Sequence, residues 1–230
     1  MFSSARLVVH AENAAVMIGQ VHPHGLRELL GILFGTLSFW IVLYNFTAPS
    51  FPGWAVKNWM PTIFVQKLGL DMSIAGPMAT ITIALSSLVS VVVGGIISDR
   101  WIRTNLKGRI HTSVIGLGIM VPALVFLGYG SGFAGAFGGA ILFGLGYGLF
   151  DANNMPILCQ FVAPGHRAAG YGLMNTAGIT AGAVITVFLG KSTDAGSLEQ
   201  DVALLAIPLL LAIVLQLTLL KPQFVDKTEG

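Results

Sequence analysis

The chain has 230 residues, 54% hydrophobic and only 10% charged, with a net charge of +2 and a mean hydropathy of +0.80. A soluble domain carries about 25% charged residues, so this chain cannot cover itself with a solvated surface, and membrane is its solvent. The small net charge excludes an electrostatic footprint for nucleic acid, and the single Cys159 excludes an internal disulfide.

In chain order, residues 1–28 mix short apolar patches with a His-Pro-His-Gly turn. No run there is long enough for a signal peptide or a span, and the segment reads as a cytoplasmic lead-in. A spanning helix needs roughly 20 apolar residues, and six runs follow, at 29–48, 77–98, 111–129, 133–155, 168–190 and 202–220. Past the first run, Pro49, Pro52 and Gly53 break or kink a helix, and Trp54 and Trp59 suit a membrane interface. The expectation is one long kinked element over 29–66 whose far end leaves the bilayer. Residues 222–230 read as a cytoplasmic tail, which leaves 29–221 as the transmembrane domain. The expected fold class is an all-α polytopic membrane protein with six transmembrane helices.

The links between runs alternate in charge. One set holds the basic hinge 99–109, His166 and Arg167, Lys221 and Lys227, and the lead-in's Arg6 and Arg27. Of the twelve lysines and arginines, only Lys57, Lys67 and Lys191 fall on the other side. Positive charge marks the cytoplasm, so both termini are expected there, as six spans require. Lys57, near the outer end of the long first element, could attract an anionic substrate or snorkel to the headgroups, and snorkelling is the preferred reading.

The hinge after the second run reads Gly95-Ile-Ile-Ser-Asp99-Arg100, then Arg103, then Lys107-Gly108-Arg109. It resembles the G-x-x-x-D-R…G-R/K loop of the major facilitator superfamily, which in that family joins the second and third helices of each six-helix half. Asn58-Trp59-Met60-Pro61-Thr62 with Leu68-Gly69-Leu70 is similar to the end of the seventh helix in the anion:cation symporter branch. Gly172-Leu173-Met174-Asn175-Thr176-Ala177-Gly178 is similar to that branch's eleventh helix. The resemblance covers about 29–221 and implies the C-terminal half of a twelve-helix transporter, built as two inverted three-helix repeats. It also implies that Gly95, Asp99, Arg100, Arg103, Lys107 and Arg109 form a gating loop. Physically, Asp99 ends its own helix, where the helix dipole disfavours a carboxylate. Arg100, Arg103 or the region of Arg167 is the expected compensation, and a plain surface anchor is the alternative.

Polar residues inside spans are expensive and mark function by default. Asp151 is the acid within the fourth run, and Tyr147, Asp151 and Asn154 fall at i, i+4, i+7, one helical face. They are read as lining a polar cavity, the alternative being a wet cap at a shorter span. Trp40, Tyr44 and Asn45 in the first run, and Tyr171 and Asn175 in the fifth, complete the cavity candidates. A ring beside an amide suits a polyhydroxylated or carboxylate ligand, and ordinary packing is the alternative. Gly178/Gly182, Gly135/Gly139 and Gly144/Gly148 read as packing seams. Ser86, Ser87 and Ser90 read as bonded to their own helix.

The five histidines lie outside the runs or at their margins, and no His, Cys or carboxylate cluster has metal spacing. No nucleophile sits with a base, and there is no P-loop. Neither an enzyme nor a cofactor is therefore expected. The resemblance implies ion-coupled alternating access in the inner or plasma membrane. Its expected partners are a small organic anion such as a sugar acid or carboxylate, a coupling proton or sodium ion, the lipid bilayer, and a missing N-terminal half or second chain. The competing reading is a truncated or non-transporting six-span protein with a structural or regulatory role.

Overall fold

The computed structural model describes residues 30–222 apart from residue 32. The lead-in and most of the expected tail lie outside the described residues. Among the described residues every regular element is helical.

Helix α1 runs Leu37–Leu68, 32 residues or about 48 Å of rise. It begins later than expected because the chain turns at Gly35 and Thr36. Pro49, Pro52 and Pro61 lie inside it without ending it, because packed neighbours keep a membrane helix intact where a proline removes a donor. Gly69 ends it in the left-handed conformation, φ 64°, with its N–H bonded to the Val65 carbonyl. Helix α2 is Met72–Trp101 and α3 is Gly108–Tyr129.

The fourth run opens with a wide helical turn, Ala134–Gly138, and continues as α4, Gly139–Asp151. It then breaks and resumes as α5, Asn154–Phe161. Pro156 causes the break: it has no N–H for the Ala152 carbonyl and clashes with it. The backbone N–H of Asn153 moves to the Phe150 carbonyl, and its side-chain amide takes the Leu149 carbonyl so released, at 2.9 Å. Helix α6 is Arg167–Ala195. The last run is α7, Leu198–Leu204, and α8, Ala206–Leu219, interrupted just before Pro208.

Five elements are long and apolar enough to cross a membrane: α2, α3, α4 with α5, α6 and its lead-in, and α7 with α8. The sixth expected span, α1, has the length but is diluted by Asn45, Lys57, Asn58 and three prolines. Small residues set how the bundle packs. A Cβ at Gly146 would stand 2.6 Å from the Gly116 carbonyl oxygen of α3, while Gly144 and Gly148 abut Ser86, Ser87 and Ser90 of α2. On α6, Gly178 meets Phe46 and Ser50 of α1, and Gly182 lies under the Trp54 ring. These are the seams expected from the glycine spacing. The serine expectation holds for Ser86, which bonds Thr82, but Ser90 reaches across to the Leu145 carbonyl.

Helix α1 packs against α2, α6 and α8. The core is Val56, Met60 and Phe64 of α1 with Leu117, Met120 and Leu124 of α3, Phe143 of α4 and Leu189 of α6. Helix α2 keeps a broad apolar face exposed, including Leu85, Leu88, Val89 and Val92.

Candidate functional site

Between α1, α2 and α4 lies a cavity of about 480 Å³, open on one side. Helix α1 lines it with Gly53, Lys57 and Met60, α2 with Thr80, Ile83 and Ser87, and α4 with Phe143, Tyr147 and Asp151. Gly53 makes room for Tyr147, since a Cβ there would stand 2.9 Å from the ring's Cε2. The Tyr147 ring packs near-parallel to Phe143, centroids 6.0 Å apart. The Lys57 ammonium sits 5.5 Å from the centres of both the Trp54 and the Tyr147 rings, within cation–π range. Lys57 thus lines the cavity with its ammonium against two rings. The cavity has one wall cation and one wall carboxylate.

The sequence candidates separate. Tyr147 and Asp151 line the cavity. Asn154 does not share their face, because the break at Ala152 and Asn153 turns it away. It instead faces a second, small void with Asn45, and its Nδ2 donates to Asp151 Oδ1 at 3.1 Å. Tyr44 and Asn45 diverge: the Tyr44 hydroxyl donates to the Pro208 carbonyl of α8 at 3.2 Å. Trp40 donates its indole N–H to the Phe34 carbonyl at 2.8 Å. Tyr171 packs edge-on against Phe46, and Asn175 donates to the Tyr171 carbonyl of its own helix. Trp40, Tyr44, Tyr171 and Asn175 therefore lie outside both hollows. Thr80 and Ser87 line the cavity without having been singled out for it, and Lys57 lines it where the sequence reading preferred a snorkelling side chain. The sequence offered two readings of Lys57, attraction of an anion and snorkelling, and preferred the second.

In the basic hinge, Asp99 pairs with Arg109 at 3.5 Å, not with Arg100, Arg103 or Arg167. The turn brings the start of α3 onto the end of α2, and Gly108 permits it, since a Cβ would lie 2.7 Å from the Trp101 backbone carbon. Arg100 and Arg103 are exposed, Lys107 is half-buried, and Gly95 has open space beside it. Gln160 of α5 donates to the Leu106 carbonyl at 3.0 Å and pins this loop to the bundle. Arg167 donates to the Cys159 and Val162 carbonyls that α5 leaves free.

At the opposite end, Lys67 donates to Glu199 at 3.0 Å and to the Gly130 carbonyl at 2.6 Å, joining α1, α3 and α7. Asn58 and Trp59 donate to Thr186 and Thr193 of α6, at 3.1 and 2.7 Å.

The structure is a polytopic helical bundle with a charged concavity let into an apolar surface. The profile of the Major Facilitator Superfamily matches residues 8–187, more than half of the sequence, and the chain belongs to that family. Over 107 residues it is 28% identical to the "Uncharacterized transporter YybO" of Bacillus subtilis (strain 168), a match covering 46% of this chain and 24% of that protein. Among solved structures it is similar to a peptide transporter POT, a glutamate-to-glutamine mutant crystallised in complex with sulfate. That likeness has a TM-score of 0.63 at 20% identity, over 78% of this chain and 37% of the other. At this identity it shows the fold. The chain thus spans well under half the length of either relative.

Proposed function

We propose that the chain forms one wall of a pathway that carries a small organic anion, a sugar acid or carboxylate, by ion-coupled alternating access. The observation that supports it is Lys57, a cation held between two rings on the wall of a 480 Å³ cavity, a volume in the range of small-molecule sites. Lys57 pairs with the anion, and Thr80, Ser87 and Tyr147 offer hydroxyls to the rest of it. Asp151 is the group for the coupling ion, a proton or sodium. The missing first half or a second chain supplies the facing wall, since the cavity is open on one side. The hinge end, to whose side the sequence pattern assigns nine of the twelve cations, and both termini face the cytoplasm in this reading, and the Asp99–Arg109 loop acts as the inner gate. The motif resemblance to the anion:cation symporter branch supports the substrate class, and no catalytic step is assigned to the chain.

The test is equilibrium binding of labelled sugar acids and simple carboxylates to the chain in lipid nanodiscs, against neutral sugars. A charge-assisted hydrogen bond contributes about 1.5–3 kcal/mol, so Lys57→Gln should weaken anion binding about ten- to a hundredfold and leave neutral sugars unaffected. Equal anion binding by wild type and Lys57→Gln would refute the assignment. Failure of the wild type to bind any solute, alone or with its complementary half, would favour the structural or regulatory reading.

A further inference from the structure

A narrow, partly open hollow on the hinge side of Asp151 has room for about 10 Å³ and lies between buried side chains of α1, α4 with α5, α6 and α8. Phe150, Ile157 and Met174 make most of its wall apolar, and three amides face it: Asn45, Asn154 and Gln216. Asn45 is 4% exposed, and neither its Nδ2 nor its Oδ1 has a partner. Gln216 is 1% exposed; its Nε2 donates to Ser113 Oγ at 3.3 Å, and its Oε1 has no partner. Buried amides are almost always satisfied, and an unsatisfied one destabilises the fold.

The size of the void selects the guest. A water molecule needs roughly 10–15 Å³ of such space and two to four polar partners, which is what this void offers. A solute of any kind is too large. A monovalent cation fits by volume, but Asp151 turns its bonded oxygen to Asn154, and the void's wall carries no charge of its own. An ion would thus be a buried charge without a counter-charge. A water is neutral, accepts from the Asn45 amide and donates to Gln216 Oε1.

We propose that this void is a specific site for a single internal water, which ties α1 to α8 through Asn45 and Gln216. The same water bears on Asn154, whose Nδ2 holds the Asp151 carboxylate at the cavity wall. The site does not depend on what the cavity carries.

Met174 provides the readout. It lines the void and is 1% exposed, so radicals from bulk solvent do not reach it. Brief X-ray radiolysis of a bound water releases hydroxyl radical at the site and oxidises the nearest sulfur. Met120 is fully buried on α3 and lines neither hollow, so it is the internal control. The experiment irradiates the whole chain in detergent and follows oxidation of both methionines by peptide mass spectrometry. Met174 should oxidise at least several-fold faster than Met120. Asn45→Leu, which removes the amide and fills the space, should bring Met174 down to the Met120 rate, provided the variant keeps a cooperative melting transition. Gln216→Leu is the second variant, with the same expectation. Equal rates in the wild type would overturn the water site. Fast Met174 labelling in potassium or choline that sodium suppresses would overturn it too, and would make the guest an ion.

Discussion

Lys67→Met isolates the clamp that closes the end of the bundle opposite the hinge. The Lys67 side chain is 6% exposed and that of Glu199 34%. Its ammonium holds the Glu199 carboxylate at 3.0 Å and the Gly130 carbonyl at 2.6 Å, with Gly128 further off at 3.4 Å. Methionine keeps the length and the apolar stem but removes all three donors. Breaking a fully buried ion pair from one side costs about 3–5 kcal/mol. Here the stranded carboxylate retains a third of its exposure and rehydrates, so the loss should fall to about 2–3 kcal/mol. For a chain of this size that is about 4–12 °C in melting midpoint, read by tryptophan fluorescence of the purified chain in detergent. Glu199→Gln should cost about 1 kcal/mol or less, because Lys67 keeps both carbonyls and an amide oxygen. The asymmetry is the critical result. Equal losses in the two variants would show that the ion pair alone holds the three helices, and the carbonyl contacts would carry no weight.

Gly53→Ala places a methyl 2.9 Å from the Tyr147 ring. The ring should swing into the cavity, weakening solute binding about tenfold or more with a small change in melting midpoint; tighter or unchanged binding would argue against Tyr147 as a wall. Gly182→Val should separate α1 from α6, since even a Cβ would stand 2.6 Å from the Trp54 ring, and the cost is about 1–3 kcal/mol of overpacking, visible as a lower melting midpoint and altered tryptophan emission. Asp99→Asn should change stability by less than about 1 kcal/mol, because the pair with Arg109 is long and Asp99 is 68% exposed; uptake by the assembled transporter should slow, and normal uptake kinetics would remove the gate role. Asp151→Asn should abolish the dependence of uptake on the ion gradient, measured by imposing and collapsing the gradient across proteoliposomes; a retained dependence would move coupling elsewhere.

Apolar runs of spanning length lie where the helices lie, since in lipid the backbone has little choice but to bond within its own segment. The hinge motif marked the turn between α2 and α3, and glycine spacing marked the seams. The failures share one cause, which is that helical periodicity assumes an unbroken helix. Pro156 lies five residues after Asp151, yet its effect falls four residues before itself, at the Ala152 carbonyl, and rotates Asn154 off the face of Tyr147. Asn45 and Tyr44 are adjacent and look like one ligand pair, but neighbours in a helix point about 100° apart, one to α8 and one to the void. The choice between the two readings of Lys57 turns on which face of a 32-residue helix meets Tyr147. That is a tertiary fact, set by Gly53 beneath the ring.

The glycines of α4 have a consequence for how this sequence tolerates change. Gly146 presses on the backbone of α3, and Gly144 and Gly148 press on α2 from the other side. Every codon that replaces any of them adds at least one carbon, and that carbon has a neighbouring helix in its way. A helix hemmed in on both flanks has no compensating retreat, because relief toward α2 means collision with α3. Variation in this region is therefore confined to the residues between the glycines, and drift can alter the lining of the cavity while the frame that carries it stays fixed.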